Sequence, residues 1–195
     1  MNRRAATCVA LLLLSGCATL PGPAPAGGWE SAKARLQALE HWMLDGRVAV
    51  AASGEGFSGG LRWNQAGTRA EVELRGPVGG PVLAIRVDGD RFSVTDPQGE
   101  VFDGERAKAL VAERVGSDLP ISELRYWLVG VPAPGAPSQE TLGADARLAT
   151  LEQAGWHIRY DRYRSAGDLV LPAKLDITQG ALRLRVAVSD WHLAP

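Results

Sequence analysis

A period of two runs through most of this chain. "WMLDGRVAVAA", "FSGGLRWNQ" and "TRAEVELR" alternate apolar with polar or small residues, and "VLAIRV", "RFSVTD" and "EVFDG" keep the rhythm. Successive strand side chains point to opposite faces, so the pattern fits a sheet with one buried and one solvated side. Turn compositions separate the runs at residues 66–68, 88–90 and 97–99, which predicts an antiparallel meander. "RLATLEQ", "WHIRYDRY", "AKLDIT" and "LRLRVAVSDWHL" resume the pattern near the C-terminus, linked at residues 154–155 and 179–180.

Helical periods are inserted around and between these blocks. "WESAKARLQALEHW" predicts a short amphipathic helix over 30–41 with Leu36 and Leu39 apolar. "GERAKALVAERVG" places Ala107, Leu110, Val111 and Val115 on one stripe with Gly116 as the stop. "LPISELRYWLVGVP" starts at Pro120 and stops at Gly130, with Ile121, Leu124 and Leu128 on a shared face and Trp127 beside it. "VPAPGAPSQETLGADA" reads as a surface loop. Strands, inserted helices, then strands define an α+β plan in which helices cover one face of a curved antiparallel sheet.

The first residues, "MNRRAATCVALLLLSGCATL", set the compartment. Arg3 and Arg4 precede an apolar stretch at 5–14 that is too short to span a bilayer. It ends in Leu14, Ser15, Gly16 and Cys17, which resembles the bacterial lipobox, where the cysteine is acylated and becomes the new N-terminus. The expected organisation is a signal peptide over 1–16, a Pro/Gly-rich tether over 17–28 and a folded domain over 29–195. Loss of Cys8 with the leader and acylation of Cys17 leave no thiol for a disulfide, metal or catalysis. The leader also removes two arginines, leaving 19 basic against 22 acidic residues and a formal charge of −3 in place of −1. Nothing in this balance points to nucleic acid or to a basic membrane-binding face.

Catalytic patterns are missing. His41, His157 and His192 fall in different elements with no ligand spacing, so surface positions are expected and no metal site. Glu71 and Glu73 read as a solvated strand face. "GEGFSGG" matches a dinucleotide spacing at Gly54, Gly56 and Gly59, but a strand follows where a phosphate site needs a helix N-terminus, so a glycine-rich hairpin turn is the better reading. No nucleophile elbow or nucleotide-binding loop appears, so neither an enzyme nor a cofactor is expected. Six tryptophans are the stronger hint: Trp42 and Trp191 read as core, whereas Trp63 and Trp127 fit core and cavity lining equally well.

One loop is odd. In "VELRGPVGGPVLAIRV", turn chemistry accounts for Gly76, Pro77, Gly79 and Gly80 but not for Val78, a β-branched residue at the tip with little to pack against.

Taken in order, the lipobox, "DGRVAV", "GLRWNQ", "LRGPVGG", "LPISELRYWLVGVP", "EQAGWHIRYDRY", "LPAKLDI" and "LRVAVSDWHL" resemble the LolB family of outer-membrane lipoproteins. Ala18, at the second mature position, implies sorting to the outer membrane. The resemblance implies an open half-barrel with a helical lid over a hydrophobic cavity. It also implies that the protein takes acyl chains of client lipoproteins from the soluble periplasmic carrier LolA and releases them among the outer-membrane lipids, as a monomer. Trp63, Phe92, Trp127 and Leu128 are the expected cavity residues, and Pro77, Val78 and Gly79 the expected membrane-insertion loop, with valine where leucine is usual. Exposing one chain of roughly sixteen carbons to water costs on the order of 12 kcal/mol, which is why a carrier and a receptor are needed. The competing expectation is a structural or envelope-assembly lipoprotein that binds a protein partner and whose interior is filled.

Overall fold

A computed structural model describes residues 27–52, 55–77, 79–115 and 119–193. Among them the alternating runs form β1 (His41–Ala52), β2 (Glu55–Ala66), β3 (Arg69–Arg75), β4 (Pro81–Asp88), β5 (Arg91–Thr95) and β6 (Val101–Asp103). After the helices come β7 (Ser138–Leu142), β8 (Leu148–Gln153), β9 (Trp156–Ala166), β10 (Leu169–Gln179) and β11 (Leu182–Leu193). All belong to one antiparallel sheet in the order β6-β5-β4-β3-β2-β1-β11-β10-β9-β8-β7. Each half is a meander of sequential neighbours, and the halves join at β1 and β11, which pair from Trp42 with Leu193 to Ala51 with Arg183. The sheet ends at β6 and β7 without closing, so the expected open half-barrel is borne out.

Three helices cover one face: α1 (Gly28–Gln37), α2 (Gly104–Val115) and α3 (Ile121–Val129). Inward positions of the central strands, Leu44, Val48, Val50, Leu184 and Val186, are all buried and meet the helices there. Fully burying one such side chain is worth about 1.5–3 kcal/mol, so this face dominates the stability of the fold. Trp42 is buried between Trp63, stacked at 6.0 Å, and Trp191, edge-on at 5.4 Å. The sheet bends where the β1–β11 register shifts at Asp45/Gly46. A Cβ on Gly46 would collide with the Ala187 carbonyl oxygen, so glycine permits this close approach.

Several elements differ from the sequence expectations. The loop over 131–146 contains β7, whose residues "SQETL" are polar because it is an edge strand with little to bury. Glu140 on β7 accepts from Trp29 Nε1 at 2.7 Å and pairs with Lys33, tying α1 to the sheet edge. α1 stops at Gln37, and His41, expected at its end, opens β1. Gly56 and Gly59 of "GEGFSGG" do not make the turn but lie inside β2, and a Cβ at Gly59 would meet the Arg75 carbonyl oxygen across the β3 pairing. Gly54 lies outside the described residues. β10 begins four residues before its expected start at Ala173, because Leu169 to Pro172 continue the ladder with β9.

The other face of the sheet is polar. Glu71 and Glu73 sit there as expected, paired with Arg86 at 3.2 Å and Arg75 at 2.8 Å. These pairs are about half exposed, so each contributes at most about 1 kcal/mol. Asp176 is different, being 3% exposed while accepting from Arg159 at 2.8 Å and from Arg183 and Arg185 at 3.0 Å each. Burial pushes its carboxyl up, but the hydrogen bonds and charges of Arg185 and Arg183 outweigh burial and hold it below its ordinary value. The unfolded chain therefore takes up this proton first as pH falls, so the stabilisation is complete above about pH 4 and is lost below it. Urea unfolding at about pH 7 and pH 3 should show this loss, and Asp176→Asn should be less stable at neutral pH with a shallower decline in acid. An equally steep acid decline in the Asn variant would assign the effect to other carboxylates.

Candidate functional site

α3 sits over the concave face because its sequence has one continuous apolar side and firm ends. Pro120 occupies the N-cap, and Gly130 closes the helix at φ 86°, a left-handed conformation that favours glycine. The Gly130 and Val131 N–H groups donate to the carbonyls of Trp127 and Tyr126, both at 3.1 Å. Ile121, Leu124 and Leu128 recur at helical spacing and turn toward the sheet.

Between α3 and the sheet lies a wholly apolar cavity of about 50 Å³. Val50, Leu61, Trp63 and Ile85 line it from the strands, and Leu124 and Leu128 from the helix. Leu119 and Ile121 also line a second, larger space of about 390 Å³, which runs outward between α2, the start of α3 and the β4–β5 turn. Phe92, half-buried, lines that second space along with Val87 and Val111. Of the four expected cavity residues, Trp63 and Leu128 thus share one space and Phe92 borders the space beside it.

Trp127 lines neither. One residue from Leu128 is about a 100° step around a helix, and this step turns the indole to the other side of α3. There it is fully buried beside Trp156 at 5.8 Å, and its Nε1–H donates to Gln153 Oε1 at 2.9 Å. Gln153 also accepts from Ala133 N–H at 2.9 Å and donates to the carbonyls of Ala133 at 2.8 Å and Ala136 at 3.1 Å. Tyr160 adds a hydrogen bond from its hydroxyl to the Trp127 carbonyl at 3.0 Å. This side of α3 is bolted to β8 and β9.

The opposite flank of α3 is held more lightly. Arg125 donates to the Gly67 carbonyl at 2.8 Å, the same carbonyl that accepts from Gln65 Nε2, while Gln65 Oε1 accepts from Trp63 Nε1–H at 2.9 Å. One arginine thereby links the helix to the β2–β3 hairpin and to a tryptophan of the cavity wall. Sequence reasoning missed Gln65 and Gln153, although both share the inward parity of their strands with Leu61, Trp63 and Leu151. A polar residue in phase with core positions is the signal that could have found them.

The β3–β4 connection is a tight loop in which the Gly76 N–H donates to the Gly80 carbonyl at 2.8 Å and the Gly79 N–H to the Gly76 carbonyl at 2.9 Å. Pro77 and Gly79 are exposed, and Val78 lies outside the described residues, as does Cys17. His41, His157 and His192 are exposed on three separate strands.

An open antiparallel sheet with helices over its apolar face defines a fold that this chain shares with solved structures. A LolA superfamily protein from Nitrosomonas europaea superposes with a TM-score of 0.53 at 12% identity, covering 86% of this chain and 94% of that one. A DUF1329 family protein from Desulfovibrio piger gives 0.59 at 9% identity, with 86% and 92% covered. At such identities the likeness concerns the fold alone. The sequence comparisons go further: the family described as outer membrane lipoprotein LolB matches residues 40–191. The outer-membrane lipoprotein LolB of Nitrosococcus oceani is 36% identical over 190 residues, covering 95% of this chain and 94% of its own. That of Pseudomonas aeruginosa is 38% identical over 192 residues, with 94% and 92% covered. The chain belongs to the LolB family of outer-membrane lipoproteins.

Proposed function

We propose that this domain receives the acyl chains of client lipoproteins from the periplasmic carrier LolA, holds them beneath α3 and releases them into the outer membrane. Cys17 is its lipid anchor, residues 17–28 its tether and the domain from Trp29 onward the acceptor. The observation that carries this reading is the apolar cavity between α3 and the sheet, which shares Leu119 and Ile121 as walls with the larger space lined by Phe92. No nucleotide site is legible in the sequence, so transfer runs downhill: cavity affinity exceeds the carrier's and falls short of the membrane's.

At about 50 Å³ the cavity is far below the roughly 300–1,000 Å³ of ligand-binding pockets, so loading requires α3 to rise from the sheet. The two flanks of the helix say how. The Trp127 side, fixed through Gln153 and Tyr160, acts as the hinge, and the Arg125–Gly67 contact is the latch that opens. The same small volume favours a second reading, a lipoprotein with a filled interior that binds a protein partner. Stoichiometric uptake of a fluorescent fatty acid, displaced by a lipoprotein, supports the first reading, and no uptake supports the second.

Pro77, Val78 and Gly79 form the insertion loop. A short apolar tip raised on a glycine-rich turn reaches lipid when its protein is tethered to the bilayer. Val78→Glu should still accept lipoprotein from loaded carrier, read by crosslinking, yet fail to deliver it to vesicles, because a carboxylate is rejected by the apolar interface. Equal loss of both steps would indicate misfolding, and loss of neither would remove Val78 from the mechanism.

A further inference from the structure

The polar face of the sheet has a basic end. Arg47 on β1, Arg183 and Arg185 on β11, and Arg159 on β9 alternate with the inward residues that build the core, and all four are exposed. Strand register places them level with one another: Arg185 faces Ala49, Arg183 faces Ala51, Arg47 faces Ala187 and Asp176 lies between Arg159 and Arg185. Small side chains at 49, 51 and 187 leave the guanidinium groups standing above the surface. Two carboxylates are set against these four guanidinium groups and the neighbouring Lys174: Asp176 pairs with Arg159, Arg183 and Arg185, and Asp161 pairs with Arg159 at 2.6 Å and Lys174 at 3.1 Å. This leaves the cluster net positive and Arg47 outside both pairings. At the other end of the same face, Arg62, Arg69 and Arg86 each have their own carboxylate, on Asp45, Asp88 and Glu71.

This basic end is also the end of the Pro77 loop. Arg75, the last residue of β3, pairs with Gly60, and Gly60 pairs with Arg47 on the next strand. The loop therefore emerges level with Arg47, and Arg185 and Arg183 lie beyond it in the same direction. We propose that these four arginines form a docking surface for the anionic phospholipid headgroups of the outer membrane's inner leaflet, turning the domain so that its Pro77 loop end faces the bilayer. Two features favour lipid phosphate as the occupant. Asp176 fixes three of the forks in place with one or two contacts each, and Asp161 takes a further contact on Arg159, leaving most of the N–H donors of Arg183 and Arg185 and all of those of Arg47 to grip phosphate oxygens. A protein of an outer-membrane lipoprotein family also has a phospholipid surface beside it at all times. The inference leans on the reading of Cys17 as anchor only for that constant proximity.

The test uses the full lipidated chain in phosphatidylcholine vesicles with or without phosphatidylglycerol. A fluorophore at Ala51→Cys, on the basic end, or at Asn64→Cys, on the other end of the same face, is quenched by nitroxide-headgroup lipid. Phosphatidylglycerol should strengthen quenching at position 51 but not at 64, and high salt should abolish the difference. Arg47→Gln and Arg183→Gln should each lower the ratio of docked to free domain about fivefold, whereas Arg86→Gln should not. Arg47 makes no contact with Asp176 here, so its variant reads the surface even where Arg183→Gln perturbs folding. Equal quenching with and without phosphatidylglycerol, equal quenching at both positions, or indifference to both arginine variants overturns the proposal and leaves an acidic protein as the candidate occupant. If the chain does not stay with the vesicles, the anchor reading fails instead. Flotation of the unlipidated chain with phosphatidylglycerol vesicles then decides the surface alone: binding that Arg47→Gln weakens supports it, and no binding overturns it.

Discussion

Leu128→Glu should lower acyl-chain binding by at least about 100-fold, the largest functional effect expected of one side chain. Leu128 is 2% exposed and, beside Leu124 on α3, lines the cavity opposite Leu61 and Trp63 of the sheet. A carboxylate there has neither water nor a donor to accept from, since every group lining the space is apolar. Burying an unpartnered polar group costs about 1–3 kcal/mol in proteins and a charge more, so the variant either lifts α3 or takes up a proton. In both cases the surface offered to an acyl chain is degraded. Leu128→Met, which keeps volume and polarity, should bind nearly as the parent does. Fluorescent fatty-acid titration with a thermal melt checks both variants. Normal binding by a folded Leu128→Glu protein would remove this residue from the cavity function.

Trp127→Ala should cost about 3–5 kcal/mol of stability, the largest structural effect. The ring is fully buried, contacts Trp156 and supplies one of the four hydrogen bonds that satisfy Gln153. Removing it opens a hole under the fixed flank of α3 and takes one donor from a buried amide. Trp127→Phe keeps most of the volume and loses only that donor, so a penalty nearer 1 kcal/mol is expected. Urea unfolding of both variants separates packing from hydrogen bonding. A midpoint that barely moves in Trp127→Ala would show that the Gln153 network, not the indole, carries this side of the helix.

The meander, the three helices and the stop of α3 were legible because alternation, helical spacing and residues such as Gly130 act locally. By contrast, α1 ends four residues short of its expected limit, and Gly116, the expected stop of α2, lies outside the described residues. β7 was not, since an edge strand buries too little to need apolar residues, and Pro- and Gly-rich flanks disguised it as a loop. Phase and size were enough to turn Trp63 and Leu128 toward the same apolar space. Trp127 could not be assigned from size alone, because the side of α3 it occupies depends on β8 and β9, which lie more than twenty residues further along the chain. The basic end was invisible for the same reason. Arg47, Arg159, Arg183 and Arg185 are scattered through an acidic chain, and strand order alone collects them.

The seam between β1 and β11 also governs when this domain comes into being. Trp42 meets Leu193 only after the last strand is available, so a chain still emerging from a translocation channel holds the first six strands with the inner edge of β1 unpaired. Val48, Val50 and Trp63 are then exposed, and the two meanders have no common core to share. Contacts of such long sequence separation form slowly, in milliseconds to seconds for comparable β-rich domains. The acceptor surface is therefore completed only when β11 arrives, and a nascent chain whose β11 is still inside the channel cannot offer a finished cavity to lipid.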